Sequence, residues 1–287
     1  MNKLFLLLIL LILPLVLISQ KNYTSDIEKG SYSKVIKKSE KLLLKESENI
    51  ESLYFIAVIK SRKSDGKYYN PLDAYHYAIK SQNLFNNVQD FKSLEFFNKI
   101  PISYNKFVEI LDSIGVNAYS DIENSNLLAE FELFLNTYIE VPKIYLDRAI
   151  IKKDHLVFEM AVSKNEVSAL QDFIQENPNA LDRSLAITLR DRLAFNNAKN
   201  DGKLQTFEKF ITDYPNAFQV DSAYHFIHDL AFEEAKVKGT SNAFTTYINK
   251  YPNSHLISQA IQKKDDLIFL EETDGSISKY LTFCKKL

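Results

Sequence analysis

The chain has 287 residues and nearly balanced charge, 35 Lys and Arg against 37 Asp and Glu, for a formal net charge of −2. The charges are mixed along the chain, with no basic tail or stripe, which argues against nucleic acid as a partner. Six glycines and no alternating apolar run argue against substantial β structure, and a single cysteine excludes an internal disulfide.

The first predicted element is an address. Lys3 precedes an apolar run from Leu4 to Ile18, and the polar Ser19-Gln20-Lys21-Asn22 follows. A run of this length fits the apolar region of a secretory signal, ~7–15 residues. A spanning helix wants ~20. Residues 1–20 are therefore read as a signal peptide, with an uncleaved N-terminal anchor as the alternative. No cysteine stands directly after the run, so a lipidated N-terminus is not expected.

Residues 21–150 read as divergent helical repeats. Val35, Ile36, Leu42 and Leu43, then Leu53, Tyr54, Ile56, Ala57 and Ile59, predict one helical pair. Lys63 to Lys67 is a predicted loop, and Pro71 opens a helix carrying Ala74, Tyr75, Ala78 and Ile79 on one face. Pro101 marks a corner after Leu94 and Phe97. A further unit has Phe131, Phe134 and Tyr138 before Pro142, which lies 36 residues ahead of Pro178.

Residues 151–287 carry a repeat with a 37-residue step. Phe158, Phe195, Phe232 and Phe269 keep it, as do Leu156, Leu193, Leu230 and Leu267. So do Pro178, Pro215 and Pro252, the alanines 161, 198 and 235, and the alanines 186, 223 and 260. A fixed period in this range predicts stacked units that bury their apolar faces against neighbours. In the clearest unit, Val220 to Ala235 forms a long helix, Gly239 breaks it, and Thr240 or Ser241 caps a short one. Phe244, Tyr247, Ile248 and Tyr251 stripe that short helix until Pro252 ends it. Asn253 and Ser254 are read as caps for the next helix. The last unit is incomplete, with Tyr280, Leu281 and Phe283 in its second helix; Cys284 takes the register of Phe173, Phe210 and Tyr247 and is read as a small core residue.

The phrases Phe210-Ile211-Thr212-Asp213-Tyr214-Pro215-Asn216-Ala217 and Tyr247-Ile248-Asn249-Lys250-Tyr251-Pro252-Asn253-Ser254 carry a family resemblance. They resemble tetratricopeptide (TPR) repeats of the degenerate kind found in Gram-negative outer-membrane assembly and envelope-scaffolding proteins. The 37-residue step departs from the usual ~34. The resemblance covers Asp154 onward and implies a helical-hairpin solenoid, a TPR-like superhelix, that binds other proteins.

Chemistry is sparse. His225 and His228 lie three apart on one predicted helix, with Asp221 or Asp229 as local third ligands. Neighbouring units have Asp191 and Asp265 in place of His228, so a surface pair is the favoured reading and no metal site is assigned. Adjacent carboxylates such as Glu233 and Glu234 do not share a helix face. The sequence has no G-x-S-x-G, no phosphate-binding glycine loop and no H-E-x-x-H. No catalytic, cofactor-binding or metal-binding residue is assigned, and the chain is read as a non-enzyme.

The expected function is an exported protein–protein interaction scaffold of the periplasm or outer membrane. The alternative is an N-terminal accessory arm of a larger exported enzyme or outer-membrane protein. A small-molecule or glycan binder using Tyr and Phe platforms ranks below both.

Overall fold

The computed structural model describes residues 23–89, 93, 95, 97, 100, 102–273 and 276–285. The predicted signal segment 1–20 and the corner at Pro101 lie outside them. Among the described residues every regular element is helical. The chain divides into two compact units, residues 1–156 and 157–287.

In the first unit α1 (Tyr32–Leu43), α2 (Ile50–Lys60), α3 (Pro71–Asn86), α4 (Tyr104–Ile122) and α5 (Leu128–Thr137) follow one another. Next comes α6 (Lys143–Lys164), within which the division at Leu156 falls. α2 is apolar on nearly all sides, so it is buried from Glu51 to Ala57 and packs against α1 and α3. Its start is fixed by Asn49, whose side chain accepts from the Ser52 N–H at 3.0 Å. The predicted 63–67 loop is a single 3₁₀ turn, Lys63–Asp65. As expected, Pro71 sits in the first turn of α3, behind an Asn70 cap.

Rings fill the core of this unit. Phe107 meets Tyr54 and Phe85, each at 5.5 Å between centroids, and Tyr75 meets Tyr138 at 5.3 Å. The Glu140 N–H donates to the Tyr75 hydroxyl at 3.0 Å, tying the loop after α5 to α3. Burial, reinforced by the Glu109 carboxylate, pushes the Tyr54 phenol up to about 12, so it stays neutral in the core.

In the second unit the described elements alternate long and short. They are α7 (Val167–Glu176), α8 (Arg183–Asp201), α9 (Leu204–Asp213), α10 (Val220–Lys238), α11 (Ser241–Lys250), α12 (Ile257–Thr273) and α13 (Ile277–Cys284). Each packs on its sequence neighbours.

Three separate core clusters result, built from the same five registers. The first holds Phe158, Ala161, Leu170, Phe173 and Ala186; the second Phe195, Ala198, Phe207, Phe210 and Ala223. The third holds Phe232, Ala235, Phe244, Tyr247 and Ala260. Each cluster is thus the end of one long helix, the short helix after it, and the start of the next long helix. The alanines at the last register are fully buried, because a larger side chain there would hold the helices apart.

The corners repeat as well. Asn177, Tyr214 and Tyr251 end the short helices with φ near −122°, −130° and −127°. Their N–H groups donate at 2.9 Å to the carbonyls of Phe173, Phe210 and Tyr247. The N–H groups of Ala180, Ala217 and Ser254 then donate back to the three corner carbonyls at 3.0–3.2 Å.

At the other end of each hairpin Asn165, Gly202 and Gly239 keep the 37-residue step and share positive φ, 52°, 67° and 61°. Each left-handed residue stops the long helix, Gly202 and Gly239 by donating to the carbonyls of Ala198 and Ala235. Replacing Gly239 by alanine forces a Cβ into this conformation and lowers stability by about 1 kcal/mol, read as a fall in urea midpoint. The neighbouring cap is Thr240, whose side chain accepts from the Ala243 N–H at 3.2 Å.

Three expectations need correction. The corner of the divergent unit is made by Tyr138, whose N–H donates to Phe134, so the equivalent of Asn177 lies 39 residues before it and the Pro142 spacing is incidental. Ser254 does not cap α12, which begins at Ile257; its hydroxyl bonds the Tyr247 phenol and accepts from the Leu256 N–H. Cys284 is exposed, not core. Its register is buried in earlier units because the next long helix covers it, and none follows α13 among the described residues.

Candidate functional site

The third hairpin, α10–α11, departs from its neighbours at one register. Elsewhere that register carries a basic residue followed by an aspartate: Lys153–Asp154 at 3.2 Å, Arg190–Asp191 at 2.6 Å and Lys264–Asp265 at 3.2 Å. Arg190 also lies 4.9 Å over the Tyr214 ring and donates to Gln171 at 2.7 Å. The third hairpin has Ile227 and His228 at these positions, and His228 meets the matching Tyr251 ring edge-on at 5.4 Å.

A cleft of about 610 Å³ lies here. Ile211, Tyr224, Ile227 and Pro252 give it an apolar lining, with Thr212, His228 and Asn253 as polar points. Lys250 and Glu208, paired at 3.2 Å, stand on its wall and on that of a second cleft of about 410 Å³.

Three of the five histidines gather beside it. His225 and His228 stand on α10, and His255 comes from the corner before α12. The Nδ1 atoms of His225 and His255 are 3.1 Å apart, and His255 Nε2 is 2.9 Å from Asp229 Oδ1. A carboxylate only accepts, so Asp229 fixes the proton of neutral His255 on Nε2. His255 Nδ1 is then the acceptor and His225 Nδ1 the donor. Burial, joined by the charges His255 and His225 would carry, holds the His228 imidazole below its usual range.

Sequence spacing paired His225 with His228; the structure brings His225 to His255, 30 residues away. Asp229 serves His255, and Asp221 joins neither. Among the described residues no group of three or more His, Cys, Asp or Glu side chains forms a ready metal-binding set. Among the same residues no helix is long and apolar enough to cross a membrane.

A second feature escaped the sequence reading. Leu181 and Phe218 share one register, directly after the Pro-Asn-Ala corners, and are 76% and 97% exposed. His255 occupies the same register in the next unit. The corner thus carries an exposed apolar side chain twice and an imidazole the third time. Comparison with protein-family models, curated proteins and solved structures finds no match to this chain.

Proposed function

We propose that the chain is an exported, TPR-like helical solenoid that binds another protein at the cell envelope and has no catalytic chemistry of its own. The observation that supports the reading best is the exposed pair Leu181 and Phe218 at equivalent corners. A phenylalanine almost fully in water gains about 1.5–3 kcal/mol on burial, so a row of such residues is a natural anchor for a partner. The address comes from the apolar run Leu4–Ile18.

Proximity labelling in living cells, with the label at the C-terminus, tests both parts. The expected result is enrichment of one envelope protein by the parent chain and its loss in the Leu181→Ser/Phe218→Ser variant, with circular dichroism unchanged. Equal enrichment by parent and variant overturns the assignment of the corner row as the binding edge. Labelling confined to cytoplasmic proteins overturns export.

A further inference from the structure

We propose that His225 and His255 form a binding site for a divalent transition-metal ion of the zinc and copper class, completed by water. The inference stands on the α10 cluster alone and is independent of the scaffold reading.

The first support is the bite of the pair. Two nitrogens 3.1 Å apart, each ~2.0–2.1 Å from one ion, subtend roughly 100° at that ion. That lies between the octahedral and tetrahedral angles. The second support is the group behind the ligand. The Asp229 carboxylate accepts a hydrogen bond from His255 Nε2–H at 2.9 Å, orients the ring and leaves Nδ1 without a proton on the side of His225. A carboxylate on the far nitrogen is the arrangement that raises the basicity of a ligating imidazole.

The third support is placement. At the register of His225 the neighbouring units have Thr188 and Gln262; at that of His255 they have Leu181 and Phe218. The pairing occurs at one corner only, so it is not required by the repeat. His225, His255 and Asp229 are all exposed, which leaves room for water on the remaining coordination positions.

Uptake balances without a co-reactant. His225 moves its proton from Nδ1 to Nε2 through solvent, His255 already presents a bare Nδ1, and two metal–nitrogen bonds replace one hydrogen bond. Imidazole donors select copper, zinc and nickel over magnesium and calcium, with copper tightest. The ion would tie α10 to the corner before α12, a link that no other hairpin described here possesses.

The test is isothermal titration of the tag-free full chain with CuCl₂, ZnCl₂ and MgCl₂. The expected result is one saturable site per chain for copper and zinc, copper binding more tightly, and none for magnesium. His225→Ala and His255→Ala each weaken zinc at least tenfold. Asp229→Asn weakens it by roughly tenfold, and His228→Ala changes it less than twofold. Absence of saturable uptake of either metal overturns the proposal. So does uptake that survives both single alanine variants, or that is lost in His228→Ala instead. Far-ultraviolet circular dichroism of each variant guards against unfolding as the cause.

Discussion

Replacing Phe207 by alanine is expected to destabilise the second unit by about 3–5 kcal/mol. The side chain is 1% exposed, stacks on Phe226 at 5.0 Å and meets Phe195 at 6.2 Å, so truncation leaves a cavity that the surrounding helices cannot close. Phe218, eleven residues on and 97% exposed, is the internal control. Its alanine variant stays within about 0.5 kcal/mol of the parent. Urea unfolding followed by circular dichroism separates the two. Hydrogen exchange adds location. Because the three clusters are separate, amides of α9 and the start of α10 lose protection first. Equal midpoints for the two variants, or uniform loss of protection, would contradict this account of the core.

Replacing Gly115 by valine is expected to cost the first unit about 3 kcal/mol. Gly115 lies inside α4, where glycine is ~1 kcal/mol worse than alanine, so its presence needs a reason. The reason is contact. A Cβ at this position would sit 2.6 Å from Tyr145 Cδ2 and 3.1 Å from the Cβ of Val141. The Tyr145 ring is buried and its hydroxyl donates to Asp112 at 3.1 Å, so the ring has no easy retreat. Alanine shows the same conflict in smaller form, its propensity gain offsetting part of the clash. The decisive measurement is a double-mutant cycle. Gly115→Ala combined with Tyr145→Leu should be more stable than the sum of the single changes by at least about 1 kcal/mol. Additive effects would place the strain elsewhere.

The repeat was legible because packing constrains volume at fixed steps. Phe158, Phe195 and Phe232 must fill the same gap in each hairpin, and Ala186, Ala223 and Ala260 must let the same two helices meet. One register went unread: Asn165, Gly202 and Gly239 also recur at 37, but asparagine and glycine look alike only to the left-handed conformation they share. Cys284 was misplaced because register records which way a side chain points, and not what lies over it.

The candidate site was less legible for two reasons. His255 reaches His225 across a corner, so its partner lies in the next unit and outside any helical spacing. Leu181 and Phe218 carry the composition of a core while standing in water, and hydrophobicity alone does not distinguish the two. The cue was present in the registers: position 255 breaks an apolar series with a histidine, and position 228 breaks an acidic one.

The sameness of the corners bears on how such a chain changes length. Asn177, Tyr214 and Tyr251 end their helices with nearly the same backbone angles and the same donated bond. A cut at one corner can therefore be sealed to the next without bending the chain. Removing or duplicating a cassette of 37 residues would rejoin an old helix end to an equivalent helix start and leave every remaining cluster with its five positions filled. A step that is not a multiple of 37 would put the phenylalanine and alanine registers out of phase. Unequal recombination at this locus thus has one quantum it can exchange without damage, and the number of hairpins can change in whole units while the histidine-bearing one is kept or lost as a block.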